Sequence, residues 1–165
     1  MKIAAALGKK SPQPHQPKII VITELPGHSI RRLQQIAVSL FMEHTRAHGV
    51  TPVQYAALEE IFKSPGLDQR TLATAIRFDT STIGGVIDRL EKRGLVTRSA
   101  SMTDRRVRLL ELTREGEQVL AAMQPAVQSA QHAILAPLPA NEQAQFIALT
   151  KKILAANELL AAVDE

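Results

Sequence analysis

The sequence contains no cysteine and no tryptophan. Disulfides, thiolate metal sites and thiol-based redox sensing are thereby excluded. Aromatic residues make up only 3% of the chain, so the core must be aliphatic. Hydrophobic residues still reach 45% of 165 residues, enough for one domain, or for one domain with an appended dimerisation element. No apolar run approaches the ~20 residues that span a bilayer. The opening MKIAAALGKK has too short an apolar stretch for a signal peptide. These absences fit a cytoplasmic chain with no membrane role. No nucleophile–base set, phosphate loop or metal box is recognisable, so an enzyme is not expected and no cofactor is implied.

What is present is positive charge in one place. Residues 77–114 hold Arg77, Arg89, Lys92, Arg93, Arg98, Arg105, Arg106, Arg108 and Arg114 against Asp79, Asp88, Glu91, Asp104 and Glu111. Nine cations against five acids give the segment the same +4 excess as the whole chain. A basic segment of this kind is the footprint of a nucleic-acid face; the plainer reading is a solvated surface rich in arginine.

The chain divides by pattern. Residues 1–24, with Pro12, Pro14, Pro17 and four lysines, read as a flexible basic arm; IIVIT at 19–23 is suited to a short strand or to packing on a partner. A first helix is expected from Pro26–Ser29 to about His48, ended by Gly49. Thr51-Pro52-Val53-Gln54 is a capping box with proline in the first turn, opening a second helix that stops at Ser64-Pro65-Gly66. Asp68 caps a third helix. Arg77-Phe78-Asp79 makes a turn, and Asp79 caps a fourth helix to about Arg93, with Ile83, Val86, Ile87 and Leu90 as its buried stripe. Leu95–Ala100 and Arg106–Leu112 read as two strands joined by a basic tip. Thr113 caps a long fifth helix that Pro125 should bend. A last helix runs from about Ala140 to Ala162.

A helix pair followed by a basic hairpin suits DNA, the second helix entering the major groove and the hairpin reaching the backbone or minor groove beside it. At STIGGVIDRLEKRGLV, TDRRVRLLELT and the Thr-Arg-Glu-Gly that follows, the chain resembles the MarR family of bacterial transcription regulators over residues 28–160. The resemblance implies a mainly α fold. A winged helix-turn-helix lobe with a two-stranded wing (51–113) sits on a helical dimerisation region (25–50 and 114–165). It also implies a homodimer on an inverted-repeat operator in double-stranded DNA, acting as a repressor that a small aromatic carboxylate releases. VQYAALEEI and the helix pair look similar to the branch controlling aromatic-acid catabolism, of hydroxylated nicotinate or benzoate type. A metal-responsive regulator of the same fold and a winged-helix protein-interaction module are the alternatives; the basic wing argues against the second.

The candidate DNA contacts are Thr80, Ser81, Thr82, Gly84, Gly85, Arg89, Asp104, Arg105 and Arg106. The three hydroxyls and free helix N–H groups can meet phosphates or base edges, or one hydroxyl can simply cap the helix. Gly84-Gly85 costs roughly 1 kcal/mol per residue in a helix, which close approach to a duplex or packing on the third helix would justify. Arg89 can reach a phosphate or guanine, or pair with Asp88 or Glu91. By the resemblance, Asp104 braces Arg106, the arginine that enters the minor groove; a guanidinium is attracted by a narrow groove in any case.

His28, Arg31, His44, His48 and Tyr55 are the candidate effector contacts, cations and a hydroxyl suited to a planar carboxylate. His44 and His48, four apart on one expected helix face, are also a possible zinc pair, or two ordinary histidines near a dimer contact.

Overall fold

The computed structural model describes residues 21–104 and 106–163, with side chains as far as residue 157. Most of the arm, Ile19, Ile20, Arg105 and the side chains of Leu159 and Leu160 lie outside the described residues. Ile22–Glu24 form a 3-10 turn rather than a strand. The turn leads into α1 (Pro26–His44), which proline starts at its first turn.

The expected run of α1 to His48 is not what folds. The helix stops at His44, and Arg46–His48 form a separate 3-10 turn ended by Gly49 in the left-handed region. Thr45 is buried, and its hydroxyl donates to the Phe41 carbonyl at 2.7 Å. A threonine that bonds back onto the preceding turn competes with helix propagation. Consequently His44 and His48 do not share a helix face, and the spacing that the zinc reading needs is lost.

Downstream, the local caps form as the residue types dictate. Thr51 and Gln54 bond reciprocally to open α2 (Pro52–Lys63). Asp68 accepts from the Arg70 and Thr71 amides to start α3 (Gln69–Ala75), and Asp79 accepts from the Thr82 amide to start α4 (Thr80–Lys92). Thr113 accepts from the Gly116 amide to start α5 (Arg114–Leu135), and α6 (Ala140–Val163) follows the break at Pro137 and Pro139.

The wing hairpin forms as two strands, and a short third strand joins its sheet. β1 (Leu67–Asp68) pairs with β3 (Arg108–Leu112), which pairs with β2 (Val96–Ala100), all antiparallel in the order β1-β3-β2. The registers are Leu67 against Leu110 and Val96 against Leu112. The two-residue strand exists because Leu110, fully buried, brings its backbone alongside.

One aliphatic core fills the lobe. Leu58 and Ile61 of α2, Leu72 of α3, the Ile83–Val86–Ile87–Leu90 stripe of α4 and Leu110 of β3 are all closed to solvent, joined by Leu120 and Met123 of α5. The stripe is the one that the sequence pattern marks. α5 approaches this lobe closely at one point. A Cβ on Gly116 would stand 2.1 Å from the Leu95 carbonyl oxygen, so only glycine fits there. Thr113 fixes the approach, donating its hydroxyl to the Gly94 carbonyl at 2.6 Å.

Candidate nucleic-acid interface

α4 offers two faces. The aliphatic stripe is buried; Thr80, Ser81, Thr82, Asp88 and Arg89 are exposed, and Gly84 and Gly85 are partly so. One first-turn amide of the helix, that of Thr82, is taken up by the cap. Asp79 is the cap, taking the Thr82 amide at 2.7 Å and the Ser81 and Thr82 hydroxyl protons as well. Those hydroxyls and that amide hold the Asp79 carboxyl well below the usual carboxylate range, so it is charged. The cap is thus Asp79, as the residue pattern marks it, and none of the three hydroxyls takes that part. With their protons committed to Asp79, Ser81 and Thr82 face outward as acceptors and as a methyl surface. That chemistry suits base amino groups and thymine methyls.

The two glycines differ. A Cβ on Gly84 would sit 3.2 Å from Nε2 of Gln69, and that amide donates to the Thr80 carbonyl at 3.2 Å. Gly84 thus makes room for the side chain that ties α3 to the first residue of α4. A Cβ on Gly85 would meet only Nη1 of Arg89, at an ordinary 3.6 Å. Packing within the lobe accounts for Gly84 and leaves Gly85 unexplained by it. Arg89 lies back across that position on the exposed face. Its expected acidic neighbours are taken: Arg98 of β2 bonds Asp88 at 2.5 Å and Glu91 at 3.3 Å, pinning the wing to α4.

At the wing tip Asp104 accepts from the backbone amide of Arg106 at 2.9 Å. It shapes the turn and does not grip the guanidinium, which corrects the expected brace. Buried Ser101 accepts from the Thr103 and Asp104 amides and completes the tip. Arg106 is exposed on it; Arg105 lies outside the described residues. Ser101, Gln69 and Arg98 were not among the sequence candidates. Arg93, at the end of α4, was counted as surface charge. It donates to the Gly49 and His48 carbonyls at 2.7 and 2.9 Å, joining α4 to the turn after α1.

The five effector candidates do not converge within one chain. His28 and His44 lie sixteen positions apart on α1, about 24 Å along its axis. None of the five lines the clefts found between the helices. Tyr55 is half-buried: its ring meets Phe41 edge-on at 5.8 Å, and its hydroxyl accepts from Gln124 at 3.0 Å. Burial, with Glu59 nearby, pushes its pKa up, so it remains a neutral phenol. Phe41 also lines a small cleft of about 170 Å³ with Gln34, Ala37, Val38, Pro52, Gln131 and Ile134, drawn from α1, α2 and α5.

An exposed helix with an acceptor-rich first turn, buttressed by a second helix and flanked by a basic three-stranded wing, defines a winged helix-turn-helix DNA-binding protein. Residues 50–107 match the model of the MarR family. The transcriptional regulator HosA of Escherichia coli O157:H7 is 36% identical over 120 residues, covering 70% of this chain and 89% of HosA. Among solved structures, the PcaV transcriptional regulator of Streptomyces coelicolor, in complex with its natural ligand, superposes with a TM-score of 0.72. It is 36% identical, over 84% of this chain and 98% of PcaV. BpsR of Bordetella bronchiseptica, whose DNA binding is regulated by 6-hydroxynicotinic acid, superposes with a TM-score of 0.76. It is 26% identical, over 82% and 96% of the two chains. The chain belongs to the MarR family. It is a DNA-binding transcriptional regulator and not an enzyme. Among the described residues no helix is long and apolar enough to cross a membrane.

Proposed function

We propose that the protein is an operator-specific repressor, working as a homodimer and released from DNA by a small aromatic acid. The observation that carries the DNA reading is the exposed face of α4, where Gly85 lacks a packing reason for being glycine. Close approach of a duplex supplies one. Alanine at Gly85 adds helix propensity worth about 1 kcal/mol, so Gly85→Ala should hold or raise the melting temperature while weakening operator binding. Operator binding equal to the parent's would remove that contact. Arg106→Ala should weaken binding with the fold intact.

The homodimer is supported by α1 and α6. Ile153 and Leu154 are 59% and 57% exposed, and no described α6 residue is buried. A two-fold dimer reads an inverted repeat with half-site centres about 10 base pairs apart.

The effector reading is supported by the natural ligand in PcaV, by 6-hydroxynicotinic acid for BpsR, and by the 170 Å³ cleft beside Phe41. Apolar walls with two carboxamides suit a single planar ring. The seven lining residues hold no cation. Arg31 precedes Gln34 by about one helical turn on α1, a spacing that supports it as the cation for a ligand carboxylate. Calorimetry with 6-hydroxynicotinate and substituted benzoates, on the parent and on Arg31→Ala, tests this. Binding that Arg31→Ala weakens, with loss of operator affinity by about 5–150-fold on ligand addition, is the expected result. No binding of any of these acids would overturn it.

A further inference from the structure

A cleft of about 420 Å³ opens between the start of α3, the first residue of α4 and the ascending limb of the wing, lined by Asp68, Gln69, Arg70, Thr80, Arg106, Val107 and Arg108. We propose that this cleft is a seat for a DNA backbone phosphate, in which Arg70 and Arg108 supply the charge and Gln69 ties the seat to α4. The proposal rests on the DNA-binding reading of the same lobe and adds residues that no motif marks.

Sheet register builds the seat. β1 pairs with β3 so that Asp68 faces Leu109. The next residue along β3, Arg108, therefore arrives beside the start of α3, where Gln69 and Arg70 stand. Arg108 lies on the same side of β3 as Leu110, by strand alternation. Leu110 points into the core; Arg108, past the edge of the lobe, is exposed. Arg70 and Arg106 are exposed as well. The charge balance is three guanidiniums against one carboxylate. That carboxylate, Asp68, is turned to the α3 amides and the Thr71 hydroxyl. Among the described residues no acid pairs with Arg70, Arg106 or Arg108, in contrast to Arg98 with its two carboxylates. A guanidinium fork matches phosphate oxygens in pairs.

Gln69 gives the seat its link to recognition. One N–H of its amide holds the Thr80 carbonyl, and Gly84 leaves room for it. A phosphate held between Arg70 and Arg108 therefore fixes the height of the α4 first turn above the base edges. Backbone contacts of this kind set register without reading sequence.

The test uses the full chain and a mixed-sequence DNA duplex, titrated over a series of KCl concentrations. Each phosphate contact contributes about 0.9 to the slope of log affinity against log salt. Arg70→Ala and Arg108→Ala should each lower the magnitude of that slope, and the double variant should lower it by about one unit and no more. Arg70→Lys and Arg108→Lys should largely restore it. Lys152→Ala, an equal charge loss on exposed α6, should leave it unchanged. Alanine variants with the parental slope, or a Lys152→Ala slope reduced as much as theirs, would overturn the seat while leaving DNA binding itself standing. A parent chain that binds no duplex would overturn both.

Discussion

Ile83, Val86, Ile87 and Leu90 of α4 are closed to solvent within one chain, whereas Ile147, Leu149, Ile153 and Leu154 of α6 are open to it. Both sets are aliphatic and both lie on helices. The difference is that α4 is surrounded by α2, α3 and β2 of its own chain, while among the described residues no element packs on α6 to that extent. α1 resembles α6, with only Phe41 buried along its length. Monomeric proteins rarely leave apolar surface so contiguous. The lobe is closed as a single copy, and the terminal helices leave apolar surface that the proposed homodimer would cover. The division also separates two kinds of function: reading DNA needs one lobe, while spacing two readings along a duplex needs a second chain.

The sharpest break in the comparison is at the joint between the halves. Gly116→Ala places a methyl against the Leu95 carbonyl, a backbone atom that cannot rotate aside. It should destabilise the lobe by about 3 kcal/mol, read as a fall in denaturant midpoint. A midpoint within error of the parent would mean that α5 does not approach the wing as closely as the structure has it.

A smaller effect is expected at Arg93, which links α4 to the turn after α1. Removing two hydrogen bonds at an exposed site costs about 1–2 kcal/mol. Arg93→Ala should also loosen the lobe against α1, seen as faster amide exchange at Arg46–Gly49 with exchange in α4 nearly unchanged. Equal loosening throughout α4 would show that Arg93 supports the lobe alone.

The smallest effect is the acid response of the α4 cap. Asp79 is depressed from the ordinary 3.8 by the Ser81 and Thr82 hydroxyls and the Thr82 amide. A depressed carboxyl contributes stability that is fully present above its unfolded pKa and is lost as pH falls through its folded one. The contribution should therefore be constant from neutrality down to about pH 5 and decline only in stronger acid. Asp79→Asn, still a good cap, should flatten that acid limb by lowering the neutral plateau toward the stability that the parent keeps in strong acid. A parental loss of stability already complete by pH 5 would contradict the arrangement at Asp79.

What the sequence made legible was local. The caps at Thr51, Asp68, Asp79 and Thr113 act over two or three residues, so the residue types alone mark them. The buried stripe of α4 follows from its period. What was hidden depends on pairing across the chain. β1 is two residues long and exists only through Leu109 and Leu110. Arg93 and Arg98 looked like surface charge, yet both are engaged within the chain, with partners 45 and 10 positions away. The charge excess of residues 77–114 therefore counts arginines engaged within the chain, while Arg70, which lines the proposed phosphate seat, lies outside that segment. The effector candidates were grouped by chemistry over the first two expected helices, and His28 and His44 stand at opposite ends of α1, with His48 in the turn beyond it.

The most direct test is sedimentation equilibrium of the full chain at micromolar concentration, alone and with an inverted-repeat duplex selected by the protein. The account predicts twice the 18.0 kDa chain mass for the protein alone, and two chains plus one duplex for the complex. It also predicts that Leu154→Glu yields single chains that keep the parental amide protection in α3 and α4. A parent sedimenting as one chain, and binding its selected duplex one chain per inverted repeat, would contradict it.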